Sequence, residues 1–375
     1  MIKVVHLTTV HQAFDTRIYH KECKTLARSG YDVILIAQNG MDEVLDGVKV
    51  RALPRPKNRL DRILGLTWRT FRMAYAERAA VYHFHDPELL SVGVLLKLFT
   101  KGRVIYDVHE DVPQQILSKH WIPALLRRPI AAIFNVVEKL MVRMLDAVVV
   151  ATEGIGEKFA GLDPVIVHNF PDLMMMPDRL PANPNERETV MVYVGGISRL
   201  RGAFEMVLAL ERLKTSLDAS LCVRLDLIGR FEPSSLAKEI KALPGYEHVR
   251  FIGWIAPEIV YEHLREAFLG LVCLHPEPRY VVSLPVKLFE YMGVGLPIIA
   301  SNFPLWKEII DGNHCGLTVN PKNPKEIAEA MEYLIIHPEE ARRMGENGRM
   351  AVVEKYNWQR EEQNLLRVYE ELLKR

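Results

Sequence analysis

Cysteine is scarce. Four occur among 375 residues, and Cys23, Cys222, Cys273 and Cys315 lie far apart with no Cys-x-x-Cys spacing. That pattern suggests neither a disulfide framework nor a zinc ligand set built on thiolates. Buried, reduced thiols in a cytosolic protein are the expectation. Long apolar runs are also missing. The longest uncharged apolar stretch, Tyr291 to Trp306, is broken by glycines and prolines and falls short of the ~20 residues that span a bilayer. The opening Met1-Ile2-Lys3-Val4-Val5-His6 has no apolar run with a small-residue cleavage site, so no secretory signal is expected. Net charge is almost absent: 48 Lys and Arg face 47 Asp and Glu, for +1. The whole chain therefore gives no electrostatic reason to bind nucleic acid. Gly-x-Gly-x-x-Gly and the Walker lysine are lacking too, which weakens dinucleotide and ATP readings.

What is present is a soluble globular composition, 49% hydrophobic and 25% charged, long enough for two domains. Residues 1–170 alternate short β-branched runs with helical patterns. The expected strands are Lys3–Thr9, Asp32–Ala37, Val48–Leu53, Val81–His85, Arg103–Val108, Ala147–Ala151 and Val165–His168. Near-continuous apolar runs of this kind mark parallel strands buried on both faces. A stretch from Phe170 to Thr189 with Pro171, Pro177, Pro181 and Pro184 reads as a linker. The alternation then restarts with Val190–Val194, Arg224–Ile228, Val249–Ile252, Leu271–Leu274, Pro297–Ala300 and Leu317–Val319, and closes on a helix from Trp358 to Leu373. The fold class is α/β with two doubly wound domains, one spanning 1–171 and the other 188–355. In such sheets ligands sit beyond the carboxyl ends of the strands, so the loops there are where chemistry is sought.

The first such loop in the second half is Gly195-Gly196-Ile197-Ser198-Arg199-Leu200-Arg201-Gly202. Glycines let a backbone approach a phosphate, the following helix start adds amides, and the arginines add charge. A diphosphate fits these groups; a tight turn with solvated arginines is the alternative. The second is Ser283-Leu284-Pro285-Val286-Lys287-Leu288-Phe289-Glu290, followed by Gly295 and a buried strand. Lys287 and Glu290 are spaced to share a helix face. The carboxylate there would suit a ribose diol and the lysine a phosphate; a surface Lys–Glu pair is the alternative. Arg230, after Leu227-Ile228-Gly229, is a further phosphate or base contact.

These loops resemble those of glycosyltransferase family 4, retaining enzymes of the GT-B fold. Arg201-Gly202 and Glu290 through Ser301 match the family's motifs, and the Pro-x-Lys-x-Phe-Glu-Tyr-Met form resembles a subgroup of bacterial surface-polysaccharide pathways. The resemblance implies a nucleotide diphosphate-sugar donor, UDP- or another, held by the second domain. It implies a glycan or lipid-linked acceptor on the first, a C-terminal helix from about 358 to 375 joined to that first domain, no required metal and no further cofactor. Two departures stand out. The first glutamate of the family's Glu-x7-Glu pair is Val282 here, and an arginine often found in the glycine loop is Gly196. The sugar contacts of that glutamate would pass to backbone amides near Val282–Leu284, including those of Ser283 and Leu284. A nucleotide-sugar 2-epimerase of the same fold, or a degenerate binding domain, are the alternatives.

In the first half, Asp15 either caps the next helix or orients an acceptor hydroxyl. His109, ending the strand of Tyr106-Asp107-Val108, matches by resemblance a histidine that contacts donor sugar or acceptor; a hydrogen-bonded structural residue is the alternative. His83, His85 and Asp86 look like a metal cluster at first sight, but structural roles are favoured. Residues 49–78 carry nine basic and two acidic side chains, a net +7, interleaved with Leu60, Ile63, Leu64, Trp68 and Phe71. Lys119 to Arg143, with Trp121, is similar. Basic amphipathic helices with aromatics suit an anionic membrane surface; core-packed helices with a solvated basic face are the alternative. No recognition motif accompanies the charge, so nucleic acid is not expected. The location expected is cytoplasmic, peripheral on the inner face of the cell membrane.

Overall fold

The β-branched runs do form parallel sheets. A computed structural model describes residues 1–119, 122–176, 189–217 and 221–374, which divide into two compact units, Met1–Asn169 with Trp358–Arg375, and Phe170–Asn357.

The first unit holds strands β1 (Lys3–Gln12), β2 (Asp32–Gln38), β3 (Glu43–Leu45), β4 (Val48–Leu53), β5 (Val81–Phe84), β6 (Arg103–Val108), β7 (Ala147–Val150) and β8 (Val165–Ile166). Their order is β3-β4-β2-β1-β5-β6-β7-β8. All neighbours are parallel except β3, which turns back antiparallel on β4 through Asp46 and Gly47, both at positive φ. That short hairpin strand was not among the expected elements. Separate apolar clusters cover the two faces of the sheet. Into one of them the C-terminal helix Trp358–Lys374 sets Trp358, Leu365, Val368, Tyr369 and Leu372. Each apolar side chain so buried is worth about 1.5–3 kcal/mol, and the Trp358 indole also donates to Thr25 Oγ1 at 2.9 Å.

The second unit is a six-stranded, wholly parallel sheet: β9 (Thr189–Val194), β10 (Val223–Ile228), β11 (Val249–Gly253), β12 (Leu269–Val272), β13 (Ile298–Ser301) and β14 (Gly316–Val319), in the order β11-β10-β9-β12-β13-β14. Helices on both faces complete two cores. β12 begins and ends two residues earlier than expected, because Leu269 and Gly270 pair with β9 while Cys273 and Leu274 leave the ladder. Pro177, Pro181 and Pro184 of the expected linker lie outside the described residues, whereas Phe170 packs edge-on against Phe289 and Tyr356.

Strand order decides where ligands can go. β1 is flanked by β2 and β5, and β9 by β10 and β12. These are the switch points at which loops diverge and leave a crevice at the carboxyl ends of the strands.

Candidate active site

At the second unit's switch point the chain leaves β9 through Gly195, whose φ of +126° suits glycine. A side-chain carbon there would lie 2.7 Å from Lys287 Nζ and 3.5 Å from Arg201 Nη1. Two cations therefore converge on the turn, one from the loop after β9 and one from the helix Val286–Val294. The Gly195 amide donates to Ile228 O at 2.8 Å, and the Gly196 carbonyl accepts from the Tyr193 hydroxyl at 2.7 Å, which fix the loop. Gly202, at φ +74°, lies so close to the Cys273 carbonyl that a Cβ would stand 2.0 Å from its oxygen. This contact sets the loop after β9 against the loop after β12.

Lys287 is the unusual member. Its ammonium sits 4.0 Å above the Tyr193 ring and is buried with no hydrogen-bond partner. Burial first, and the neighbouring Arg201 charge second, push its pKa down to about 7 against the pull of Glu290 and Glu232. The surface Lys–Glu pair is thereby excluded. Burial works to lower the Arg201 pKa, but the nearby Tyr193 and Tyr280 hydroxyls and the Glu232 carboxylate raise it. A buried lysine beside an arginine is electrostatically costly, and a polyanion placed between them would relieve the cost.

The other expected donor residues divide. Glu290 is on the same helix, close enough for its charge to act on Lys287. Arg199 points elsewhere: it pairs with Glu239 on the surface and stacks 4.0 Å over Phe204, so it is not part of the cation pair. Arg230 is exposed, with its guanidinium 5.2 Å from the ring of Trp254, itself 63% exposed. Ser283 donates its amide and its hydroxyl to the Tyr280 carbonyl and accepts the Trp306 indole N–H at 2.7 Å. Its amide is thus committed and does not stand in for a missing glutamate. Leu284 packs into the core, and Val282 faces solvent.

In the first unit Asp15 does cap the next turn: Oδ1 accepts from the Arg17 and Ile18 amides at 2.9 and 3.0 Å. Its other oxygen meets His11 Nδ1 at 3.1 Å. Burial pushes the Asp15 carboxyl up, yet His11 and the two amides hold it well below the usual carboxylate range. Asp86 has the structural role expected of it, taking the Thr9 and Val10 amides and the Thr8 hydroxyl and so pinning the end of β1. His109 is partly exposed and anchored through Nε2, 3.2 Å from both Asp107 Oδ2 and His85 Nδ1. Behind it lies a buried set that the sequence reading did not assemble: His6, Glu22 and Tyr369, with Arg17 gripping Asp107.

Residues 17–169 match the family described as glycosyl transferase 4-like domain, and residues 178–351 that described as glycosyl transferases group 1. The chain is a GT-B glycosyltransferase of the family 4 type. This glycosyltransferase is 23% identical over 302 residues to an MMP α-(1→4)-mannosyltransferase of Mycolicibacterium hassiacum, spanning 78% of this chain and 71% of that protein. Its fold is similar to that of sucrose-phosphate synthase from Thermosynechococcus elongatus (TM-score 0.77, 19% identity, 99% of both chains). It is also similar to Anabaena HepE solved in complex with UDP-glucose (TM-score 0.73, 13% identity, 99% of this chain and all of that one).

Sequence reading missed Tyr193, Glu232 and Trp254 in the glycosyltransferase's second unit. Tyr193 is inside a strand, where an aromatic reads as core. Trp254 follows β11 at a strand end, a position that could have flagged it. No helix among the described residues is long and apolar enough to cross a membrane. Around the basic segments the apolar side chains split. Leu66 is buried and Phe71 packs on the core, whereas Leu60 and Trp68, and Leu125, Ile133 and Leu140 of the helix Ala124–Val142, face solvent. Trp121 lies outside the described residues.

Proposed function

We propose that this glycosyltransferase moves a sugar, with retention at the anomeric carbon, from a nucleotide diphosphate-sugar to a hydroxyl of a glycan or lipid-linked precursor in surface-polysaccharide synthesis. The observation that carries the donor half is the pair of cations, Arg201 and the unpartnered Lys287, aimed at the Gly195 turn. The diphosphate binds there, and the same two groups stabilise the charge that grows on it as the sugar leaves, without a metal at the phosphates. Glu290 holds the ribose, and Arg230 with Trp254 offers a face to the base. HepE, solved with UDP-glucose, supports a nucleotide-sugar donor. His109 and Asp15 contact the acceptor side, and no protein nucleophile is invoked.

Product analysis by NMR with the nucleotide sugar that binds tests the reading. A new α-linkage from an α-linked donor is expected; inversion, or an epimerised free sugar, refutes it. A lipid-linked acceptor also requires a surface. Solvent-facing Leu60 and Trp68 beside Arg59, Arg62 and Arg69 support docking to anionic lipid. Charge reversal of the three arginines should weaken binding to phosphatidylglycerol vesicles, and indifference to lipid charge rejects the docking.

A further inference from the structure

The parallel register of β1 and β5 sets His6 directly beside His83, and His85 follows on the same face two residues on. The segment Ile18–Cys23, wound as a π-helix, brings Glu22 against them; such turns are frequent at functional sites. All four side chains are fully buried.

Their spacing is that of a coordination shell. A tetrahedral zinc ion with its usual Zn–N and Zn–O lengths needs ligand atoms about 3.3–3.5 Å apart. His6 Nδ1 and His85 Nε2 are 3.0 Å apart. Glu22 Oε2 is 3.9 Å from the first and 3.8 Å from the second. The ligand atoms of all four residues lie within 4.8 Å of one another. Without an ion the set is poorly satisfied: His83 Nε2 and Glu22 Oε2 are buried with no hydrogen bond, an arrangement that folded proteins seldom leave uncompensated.

The outer groups fit as well. Metal-bound histidines characteristically give their second nitrogen to an oxygen acceptor. His6 Nε2 and His83 Nδ1 both meet the Tyr369 hydroxyl, at 2.9 and 2.8 Å, while His85 Nδ1 lies 3.4 Å from Asp107 Oδ2. Arg17 takes Glu22 Oε1 at 2.9 Å and leaves Oε2 to the histidines. A second grouping, Glu22, His85, Asp107 and His109, is also compact, but Arg17 already occupies Asp107.

We propose that His6, His83, His85 and Glu22 hold one tetrahedral transition-metal ion, zinc by ligand chemistry, as a structural clasp inside the first unit. It ties β1, β5 and the π-helical turn to the C-terminal helix through Tyr369, and it takes no part at the donor phosphates.

The test uses the full chain, stripped with a chelator and titrated with Co²⁺ alone, then with Zn²⁺. One equivalent should bind, with the intense visible bands of tetrahedral Co²⁺, and zinc should displace it and raise Tm. Glu22→Gln should weaken zinc at least as much as Tyr369→Phe, for which about 10- to 100-fold is expected. A folded chain that takes up no stoichiometric ion, or that gives octahedral Co²⁺ bands, overturns the site. So does a zinc affinity unmoved by Glu22→Gln; if that variant does not fold, unchanged affinity in Tyr369→Phe overturns it equally.

Discussion

Replacing Lys287 by methionine should make the protein more stable and a poorer binder of nucleotide sugars. A lysine that ordinarily titrates near 10.5 and here near 7 costs at most about 5 kcal/mol when charged, because one pK step is worth about 1.4 kcal/mol. The sign follows from proton counting. Between pH 7 and 10.5 the unfolded chain holds a proton on this lysine that the folded chain has lost, so stability rises with pH across that window. The penalty is complete below pH 7 and fades above it. Lys287→Met carries no such penalty, so its stability advantage over the natural protein should be about 2.5–3 kcal/mol smaller at pH 9 than at pH 6. Denaturant titration at the two pH values reads the difference. Binding supplies an independent check. If the diphosphate restores the ammonium, association should take up about 0.9 proton at pH 8 and only about 0.1 at pH 6. The diphosphodiester of a nucleotide sugar does not itself titrate there. Calorimetry in buffers of different ionisation enthalpy measures that uptake. A pH-independent stability gap, or binding that leaves proton uptake at zero at pH 8, would refute the reasoning.

Three further outcomes are expected. Arg201→Ala and Glu290→Ala should each lower kcat/KM by roughly 10- to 1000-fold, and wild-type rates in both would remove them from the site. Gly202→Ala should cost about 2–4 kcal/mol, from left-handed strain and the clash with the Cys273 carbonyl; an unchanged urea midpoint would contradict the tight loop contact. Asp15→Ala should lose about 1 kcal/mol for the cap. Asp15's carboxyl is held low and His11's imidazole is raised. Their pairing therefore contributes from above the ordinary Asp range near 3.8 and fades as pH rises past His11's raised value. A stability difference between Asp15→Ala and the natural protein that stayed flat from pH 3 to pH 9 would argue against the pair.

The doubly wound sheets were legible because strands such as Ile34-Leu35-Ile36-Ala37 and Val192-Tyr193-Val194 are buried on both faces and read as apolar runs. Glu43-Val44-Leu45 was not legible, being short, exposed and paired only with β4. Spacing placed Lys287 and Glu290 on one helix, but not the lysine beneath Tyr193, because burial depends on which face meets β9. Likewise two arginines two residues apart in one loop look equivalent in sequence. Only the short turn Arg199–Arg201 turns one toward Gly195 and the other to Glu239. The histidine cluster was half visible: His83 and His85 alternate on one strand, but His6 joins them through strand register and Glu22 through a π-helical turn, neither of which local sequence encodes.

The most direct measurement is calorimetric titration of the full chain with a panel of nucleoside diphosphates and their sugars, repeated on Arg201→Ala. One nucleotide should bind one-to-one, with affinity falling at least tenfold in the variant. If none of the panel binds the folded chain, or if the variant binds as well as the natural protein, the Gly195 turn with Arg201 and Lys287 is not the donor site.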